Sequence, residues 1–155
     1  MTNPNDRLAQ LLLVEADDAD ILLTREAFLR AKINNDLAVA REAGKALRRL
    51  RREPPYDHEP RPDLVLLDLA LPPSGGQALL ETIKKDPQLA GVPVVLLTGS
   101  DAEMDLLKSY TVSADGYVVK PVEFDRLWRA LASVGSLTLS FIVVAASTFP
   151  VSGSS

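Results

Sequence analysis

The stretch from Asp63 to Gly76 reads DLVLLDLALPPSGG, and it decides the fold. Four consecutive apolar residues, 64–67, precede Asp68 and a Pro-Pro-Ser-Gly-Gly turn signal. An apolar run of this length before a turn is typical of a strand buried on both faces, as in a parallel sheet. Asp68 then falls at the carboxyl end of the strand, the edge where ligands bind in open α/β sheets. An Asp that merely caps the loop is the alternative.

Four further apolar runs of four to six residues occur along the chain, and a segment with helical character follows each. The runs are QLLLVE at 10–15, LAVA at 37–40, VVLL at 94–97 and GYVV at 116–119. The predicted helices cover 19–32, 41–52, 77–85, 101–110 and 123–133. Such alternation predicts an α/β fold in which helices cover both faces of a five-stranded parallel sheet.

The first predicted helix begins after a cluster of acids. Asp17 or Asp18 suits its N-cap, where a carboxylate accepts a free backbone N–H and favours the helix dipole. The apolar positions at helical spacing are Ile21, Leu22, Phe28 and Leu29.

The amino-acid composition limits the classes of protein to which the chain can belong. With 155 residues, 46% hydrophobic and 25% charged, the chain fits one globular domain. It contains no cysteine, which excludes disulfides, Cys-ligated zinc and thiol catalysis. The net charge of -4 argues against general nucleic-acid binding. The polar start lacks the apolar core of a secretory signal, so we expect a cytoplasmic protein.

The second predicted helix, 41–52, is strongly basic. Its basic residues are Arg41, Lys45, Arg48, Arg49, Arg51 and Arg52. No aromatic residues are interleaved with them, which favours a solvated face. A docking patch for an acidic partner or nucleic acid is the alternative, and it would predict salt-dependent DNA binding.

Polar side chains stand at the carboxyl ends of four of the predicted strands. They are Glu15, Asp17, Asp68, Thr98 and Lys120. Because the carboxyl ends of parallel strands meet at one edge of a sheet, we expect these residues to converge. A carboxylate can attack phosphorus, a Lys and a Thr can neutralise and bind phosphoryl oxygens, and carboxylates can hold Mg²⁺. The set therefore predicts phosphoryl transfer. No nucleotide-binding glycine loop is present, so the donor is expected to be another protein or a small acyl phosphate.

The chain resembles the receiver domain of two-component response regulators over roughly 7–133. The motifs that carry the resemblance occur in the family's order: LLLVEADDAD, DLVLLDLALPPSGG, VVLLTGS and GYVVKP. The resemblance implies a flavodoxin-like doubly wound sheet with strand order 2-1-3-4-5. It also implies a phosphoacceptor that catalyses its own phosphotransfer and dephosphorylation rather than a turnover enzyme.

By this resemblance, Asp68 is the phosphoacceptor, and Thr98 and Lys120 bind the phosphoryl group. Thr98 and Tyr117 form the conformational switch, and the Lys120–Pro121 bond is cis. The implied Mg²⁺ ligands are Glu15, Asp17, Asp68 and the carbonyl of Ala70.

One position departs from the family pattern. Ala16 stands where the second acid of the family's acidic pair usually binds Mg²⁺ directly. Either Asp17 substitutes through a local backbone shift, or Glu15 holds the ion alone or through water. The alternative function is a degenerate receiver that has lost efficient metal-dependent phosphorylation and signals by protein binding alone. A phosphatase of similar topology would be favoured by an acid two residues after the nucleophile, where this chain has Ala70.

The last 26 residues, 130–155, carry no charged side chain. Period-two alternation at 137–141 favours an extended strand over a membrane helix. We therefore predict a receiver domain at 1–136 and an apolar arm at 137–155, with no output domain and no membrane association. The arm resembles that of small regulators paired with phytochrome-type histidine kinases. The expected partners are a histidine kinase, in particular a bacteriophytochrome, and a second copy of the chain bound through the arm.

Overall fold

The computed structural model describes residues 10–30, 35–109 and 112–132, and in them strands and helices alternate strictly. The strands are β1 (Leu11–Val14), β2 (Leu37–Ala40), β3 (Leu64–Asp68), β4 (Val94–Thr98) and β5 (Gly116–Val119). The helices are α1 (Asp18–Arg30), α2 (Ala43–Arg51), α3 (Gly76–Lys85), α4 (Asp101–Lys108) and α5 (Phe124–Ala132). The predicted α/β class is confirmed.

The five strands form one parallel sheet in the order β2-β1-β3-β4-β5, as the resemblance implies. The register pairs Val14 with Leu67, Asp68 with Leu97, and Thr98 with Val119. This register aligns the carboxyl ends of the four strands that carry predicted site residues. The residues at or just after those ends therefore lie along one edge of the sheet.

Side chains that alternate along the strands fill two hydrophobic layers. On one face, Leu13, Leu66 and Leu97 pack with residues of α1 and α5. On the other face, Leu12, Val14 and other strand residues pack with residues of α2, α3 and α4. Every residue of β1, β3 and β4 is buried, which explains their unbroken apolar runs. Each fully buried Leu contributes about 1.5–3 kcal/mol, so these strands form a rigid base for the sheet edge.

Helix α1 buries fewer of its apolar side chains than the predicted helical spacing indicates. Ile21, Thr24 and Phe28 are buried. Leu22 and Leu29, which share the predicted apolar spacing, are 57% and 74% exposed. Thr24 can occupy the buried stripe because its hydroxyl donates to the Asp20 carbonyl at 2.8 Å. Residues 31–32 of the predicted helix lie outside the described residues.

The basic side chains of α2 bind neighbouring segments of the chain. Arg49 pairs with Glu59 at 2.7 Å, and its guanidinium lies 4.3 Å from the centre of the Tyr56 ring. Arg51 pairs with Asp86 at 3.2 Å. A surface ion pair such as Arg49–Glu59 contributes about 0–1 kcal/mol. The Arg49 contacts link α2 to the proline-rich connection before β3, and the Arg51 pair links α2 to the residue that follows α3.

No helix in the described residues is long and apolar enough to cross a membrane. The predicted arm at 137–155, with the domain boundary before it, lies outside the described residues.

Candidate functional site

The Lys120 ammonium is the centre of the polar cluster at the carboxyl edge of the sheet. Its Nζ lies 2.8 Å from Asp68 Oδ1, 3.0 Å from Glu15 Oε1 and 2.7 Å from Asp20 Oδ2. Glu15 and Asp68 are buried, and Asp20 is partly exposed. Three carboxylates from two strand ends and one helix thus share a single cation.

Lys120 is placed by the end of β5. Its backbone N–H donates to the Thr98 carbonyl at 2.7 Å, which extends the pairing of β4 with β5 by one residue. The Lys120–Pro121 bond is cis, as the resemblance implies. The side chain reaches from the edge of the sheet across β4 and β3 to β1, so it connects strands distant in sequence.

Asp68 is the last residue of β3, and the loop after it folds back tightly. The Ala70 N–H donates to Asp68 Oδ1 at 3.3 Å, and the Gly76 N–H donates to the Leu69 carbonyl at 2.7 Å. The backbone of Gly76 approaches the Asp68 carbonyl so closely that a Cβ there would overlap it. Only a glycine fits this approach without displacement of the Asp68 backbone.

Glu15 follows β1 and is 1% exposed. Its backbone N–H donates to the Ala40 carbonyl at 3.0 Å, and its Oε2 accepts the Asp17 N–H at 3.3 Å. Oε1 lies against the Lys120 ammonium, but it has no hydrogen bond of good geometry among the described residues. This buried oxygen therefore retains acceptor capacity directed into the site.

The cluster of Lys120 and its three carboxylates carries an excess of negative charge. Three carboxylates and one ammonium carry -3 + 1 = -2 when all are ionised. The pKa of Glu15 is raised to about 7, because burial disfavours the ionised carboxylate; the nearby Lys120 ammonium opposes this shift, and the charge of Asp68 adds to it. Burial alone would lower the pKa of Lys120, but its contacts with the carboxylates of Asp20, Asp68 and Glu15 outweigh burial and raise the pKa. The ammonium is therefore charged at neutral pH, and the excess negative charge is relieved by a proton on Glu15 or by another cation.

Thr98 ends β4 beside Asp68 and is 1% exposed. Its hydroxyl donates to the Ser100 carbonyl at 3.2 Å. Ser100 is the N-cap of α4 and accepts the Glu103 N–H at 3.1 Å. The hydroxyl is thus tied to the start of the next helix.

Tyr117 lies in β5 and packs against the hydrophobic layer that includes α3 and α4 residues. Its hydroxyl accepts the Ala114 N–H at 3.1 Å. The Lys108 ammonium lies 5.7 Å from the centre of its ring. The ring is half-buried, so it has contacts both with the core and with the α4 surface.

The structure brings together Glu15, Asp68 and Lys120 of the predicted set, with Thr98 on the adjoining strand end. Asp17 has a different environment. Its Oδ2 accepts the Asp20 N–H at 3.1 Å, which confirms the N-cap prediction and leaves its side chain exposed. The metal role of Asp17 stays a prediction.

Asp20 is the residue that the sequence reasoning missed. Three acids, Asp17, Asp18 and Asp20, begin the first helix, and strand ends alone do not say which of them turns toward the sheet. The available signal is helical geometry: a side chain one turn after the cap is directed back toward the amino-terminal end of the helix. That direction leads to the end of β1.

The side chains at this edge fit a hard divalent cation. Carboxylate and carbonyl oxygens are its preferred ligands, and the Glu15 Oε1 atom is buried without a good hydrogen bond. Within the described ranges, no three or more His, Asp or Glu side chains are arranged to hold an ion alone. Mg²⁺ is compatible with so few protein ligands, because it keeps several waters.

The fold and the site define a doubly wound α/β domain with a carboxylate and a lysine at the carboxyl edge of a 2-1-3-4-5 sheet. The family model of the response regulator receiver domain matches residues 11–132. The chain belongs to this family.

Several relatives cover nearly the whole chain. Response regulator Rcp1 of Synechocystis is 34% identical over 88% of this chain and 92% of its own length. The structure of the bacteriophytochrome response regulator RtBRR is 39% identical, covers 93% of this chain and 86% of that one, and has a TM-score of 0.78. That of the phosphorylated cyanobacterial phytochrome response regulator RcpA is 36% identical, covers 79% and 88%, and has a TM-score of 0.66. Rcp1 has also been solved in an Mn²⁺-bound form, with 33% identity, coverage of 89% and 99%, and a TM-score of 0.65. The chain is therefore a receiver close to phytochrome response regulators.

Proposed function

We propose that Asp68 accepts a phosphoryl group from a histidine kinase and that the receiver changes conformation in response. The observation that carries this proposal is the 2.8 Å contact between Asp68 Oδ1 and Lys120 Nζ at the carboxyl edge of a receiver sheet. It supports the proposal because a carboxylate that could attack phosphorus lies beside an ammonium that is charged at neutral pH. The receiver catalyses its own phosphorylation and dephosphorylation and is not a turnover enzyme.

In the proposed reaction, an Asp68 carboxylate oxygen attacks the phosphorus of a phosphohistidine. The new O–P bond forms as the P–N bond breaks, and the imidazole nitrogen keeps the electron pair and takes a proton from solvent. The Lys120 ammonium neutralises charge on the phosphoryl oxygens, and the Thr98 hydroxyl donates a hydrogen bond to them.

Glu15, Asp68 and the Ala70 carbonyl, with Asp17 as a fourth candidate, would hold a divalent cation, which we propose is Mg²⁺. When bound, such an ion neutralises charge that develops on the phosphoryl oxygens. The donor oxygens at this edge and the Mn²⁺-bound form of Rcp1 support this assignment.

Thr98 and Tyr117 would report phosphorylation to the surface. When the Thr98 hydroxyl moves toward the phosphoryl group, it breaks its hydrogen bond to the Ser100 carbonyl. This movement vacates space beside β5. Tyr117 would enter that space and release the Ala114 N–H. The site thus biases a two-state element by a local change of charge.

The kinase that we propose as partner is a bacteriophytochrome, since RtBRR and RcpA are named as phytochrome regulators. We also propose a homodimer formed through the apolar arm at 137–155. At about 25 cal/mol per Å² of buried apolar area, six apolar side chains between 137 and 144 would contribute several kcal/mol once covered by a partner.

A degenerate receiver is the second candidate, and Ala16 is the observation that favours it. Mg²⁺-dependent binding of beryllofluoride, a phosphoryl mimic, separates the two functions. A phosphoryl acceptor binds beryllofluoride at Asp68 only with the metal present. A degenerate receiver shows no such binding, and this result would contradict the proposed function.

A further inference from the structure

Asp20 contacts the Lys120 ammonium but has no role in the proposed reaction so far. Its Oδ2 lies 2.7 Å from Lys120 Nζ, across 100 positions of sequence. The side chain of Asp20 is 31% exposed, whereas those of Glu15 and Asp68 are buried. Asp20 therefore holds the ammonium from the solvent side, opposite the sheet.

A lysine ammonium has three N–H donors on a flexible four-carbon stem. In this site it lies 2.7–3.0 Å from three carboxylates, and its contact with Asp20 Oδ2 is a hydrogen bond of good geometry. Asp20 is itself fixed in the capped first turn of α1: its N–H donates to Asp17 and its carbonyl accepts from Thr24. The helix thus supplies a rigid third anchor for an otherwise mobile side chain.

We propose that Asp20 is a positioning residue for phosphoryl transfer, which holds the Lys120 ammonium beside the Asp68 oxygen that is to be phosphorylated. The inference rests on the proposed function and adds a residue to it. Without this anchor, the Lys120 side chain samples other rotamers. In some encounters with a phosphoryl donor, its ammonium then does not lie beside Asp68.

Acetyl phosphate offers a defined donor for a test. An Asp68 oxygen bonds to phosphorus, the bond from phosphorus to the acetate oxygen breaks, and acetate leaves with the electron pair. The charge of Asp68 moves outward onto the phosphoryl oxygens, and the lysine donor that faced Asp68 follows it. Glu15 and Asp20 remain to hold the ammonium during this transfer.

Two substitutions of Asp20 separate the effect of its hydrogen bond with Lys120 from the effect of its negative charge. Asp20→Asn keeps an acceptor oxygen but loses the negative charge, and Asp20→Ala loses both. Because the two variants lose the same charge, the ratio of their rates isolates the hydrogen bond to Lys120. We expect Asp20→Ala to be phosphorylated about tenfold more slowly than Asp20→Asn, the loss that one hydrogen bond to a charged group predicts. The loss should lie in the maximal rate and not in the half-saturating acetyl phosphate concentration.

Asp18→Ala is the matched control. Asp18 is an exposed acid in the same first turn, and its partner is Arg41. This variant should keep the wild-type rate. Equal rates for Asp20→Asn and Asp20→Ala would overturn the proposal while wild-type labelling still supported the proposed function. No labelling of the wild type would overturn both.

Mn²⁺ binding without a phosphoryl donor tests the competing role of a metal ligand. Positioning predicts equal Mn²⁺ affinities for the two Asp20 variants, since both lose one charge. A weaker affinity in Asp20→Ala than in Asp20→Asn would identify Asp20 as a ligand and overturn the proposal.

The ¹H–¹⁵N NMR signal of the Lys120 ammonium gives a further readout. This signal should persist in Asp20→Asn and vanish in Asp20→Ala. Its persistence in both variants would contradict the positioning role.

Discussion

Gly76 and Asp68 are in backbone contact: the start of α3 lies against the carbonyl of the residue that ends β3, with no room for a Cβ between them. The Gly76 N–H also donates to the Leu69 carbonyl at 2.7 Å. The start of α3 therefore packs directly on the backbone of Asp68 and Leu69.

We predict that Gly76→Ala destabilises the fold by about 1–3 kcal/mol, because the added methyl group must displace the Asp68 backbone. Gly44→Ala is the control, since a Cβ at Gly44 meets nothing within 4 Å. In helix α2 that change should stabilise by about 0.5–1 kcal/mol. Urea denaturation measures both, and equal effects of the two substitutions would contradict the close contact.

Stability should fall as pH rises through the titration of Glu15. The pKa of Glu15 is about 7 in the folded state, against 4.5 as its ordinary value. The folded state therefore binds this proton more tightly than the unfolded state. The resulting stabilisation is complete below about pH 4.5 and is lost as pH rises through about 7, at most on the order of 3 kcal/mol.

Glu15→Gln should remove this pH dependence, because its side chain is neutral throughout. Unfolding measured in EDTA between pH 4.5 and 8 gives the comparison. Glu26→Gln, which changes an exposed carboxyl group of α1, should retain the wild-type slope. A wild-type slope in Glu15→Gln would show that Glu15 is not the titrating group.

Thr98→Ala should weaken the link between Asp68 and Tyr117. The buried hydroxyl that would bind the phosphoryl oxygens is lost, so beryllofluoride should still bind Asp68 but no longer change the Tyr117 ring. The NMR signals of that ring report the change. Thr98→Ser keeps a hydroxyl and should keep the response; an undiminished response in Thr98→Ala would exclude this switch.

Removal of residues 137–155 should convert a dimer into a monomer, because the apolar arm is the proposed dimer contact. Light scattering on the full chain and on 1–136 gives the two masses. A truncated chain that stays dimeric would contradict the role of the arm. A detergent requirement that disappears on truncation would instead favour membrane binding.

The sheet could be predicted because each strand appears in the sequence as an apolar run that is followed by a polar residue. This rule placed Glu15, Asp68, Thr98 and Lys120 at one edge before their contacts were known. It could not place Asp20, since three acids stand at the N-cap and in the first turn of α1, and the rotation of the helix decides which one faces Lys120. Nor could it show that Leu22 and Leu29 face solvent, because Thr24 takes a buried position by bonding its own backbone.

The most direct test of the proposed function is transfer of labelled phosphate from a phosphorylated histidine kinase to the wild type and to Asp68→Asn. The wild type should carry a label that is lost in acid or base, as expected of an acyl phosphate. Asp68→Asn should carry no label, because an amide oxygen is a poor nucleophile toward phosphorus. Undiminished, acid-stable labelling of Asp68→Asn would contradict the assignment of Asp68 as the phosphoacceptor.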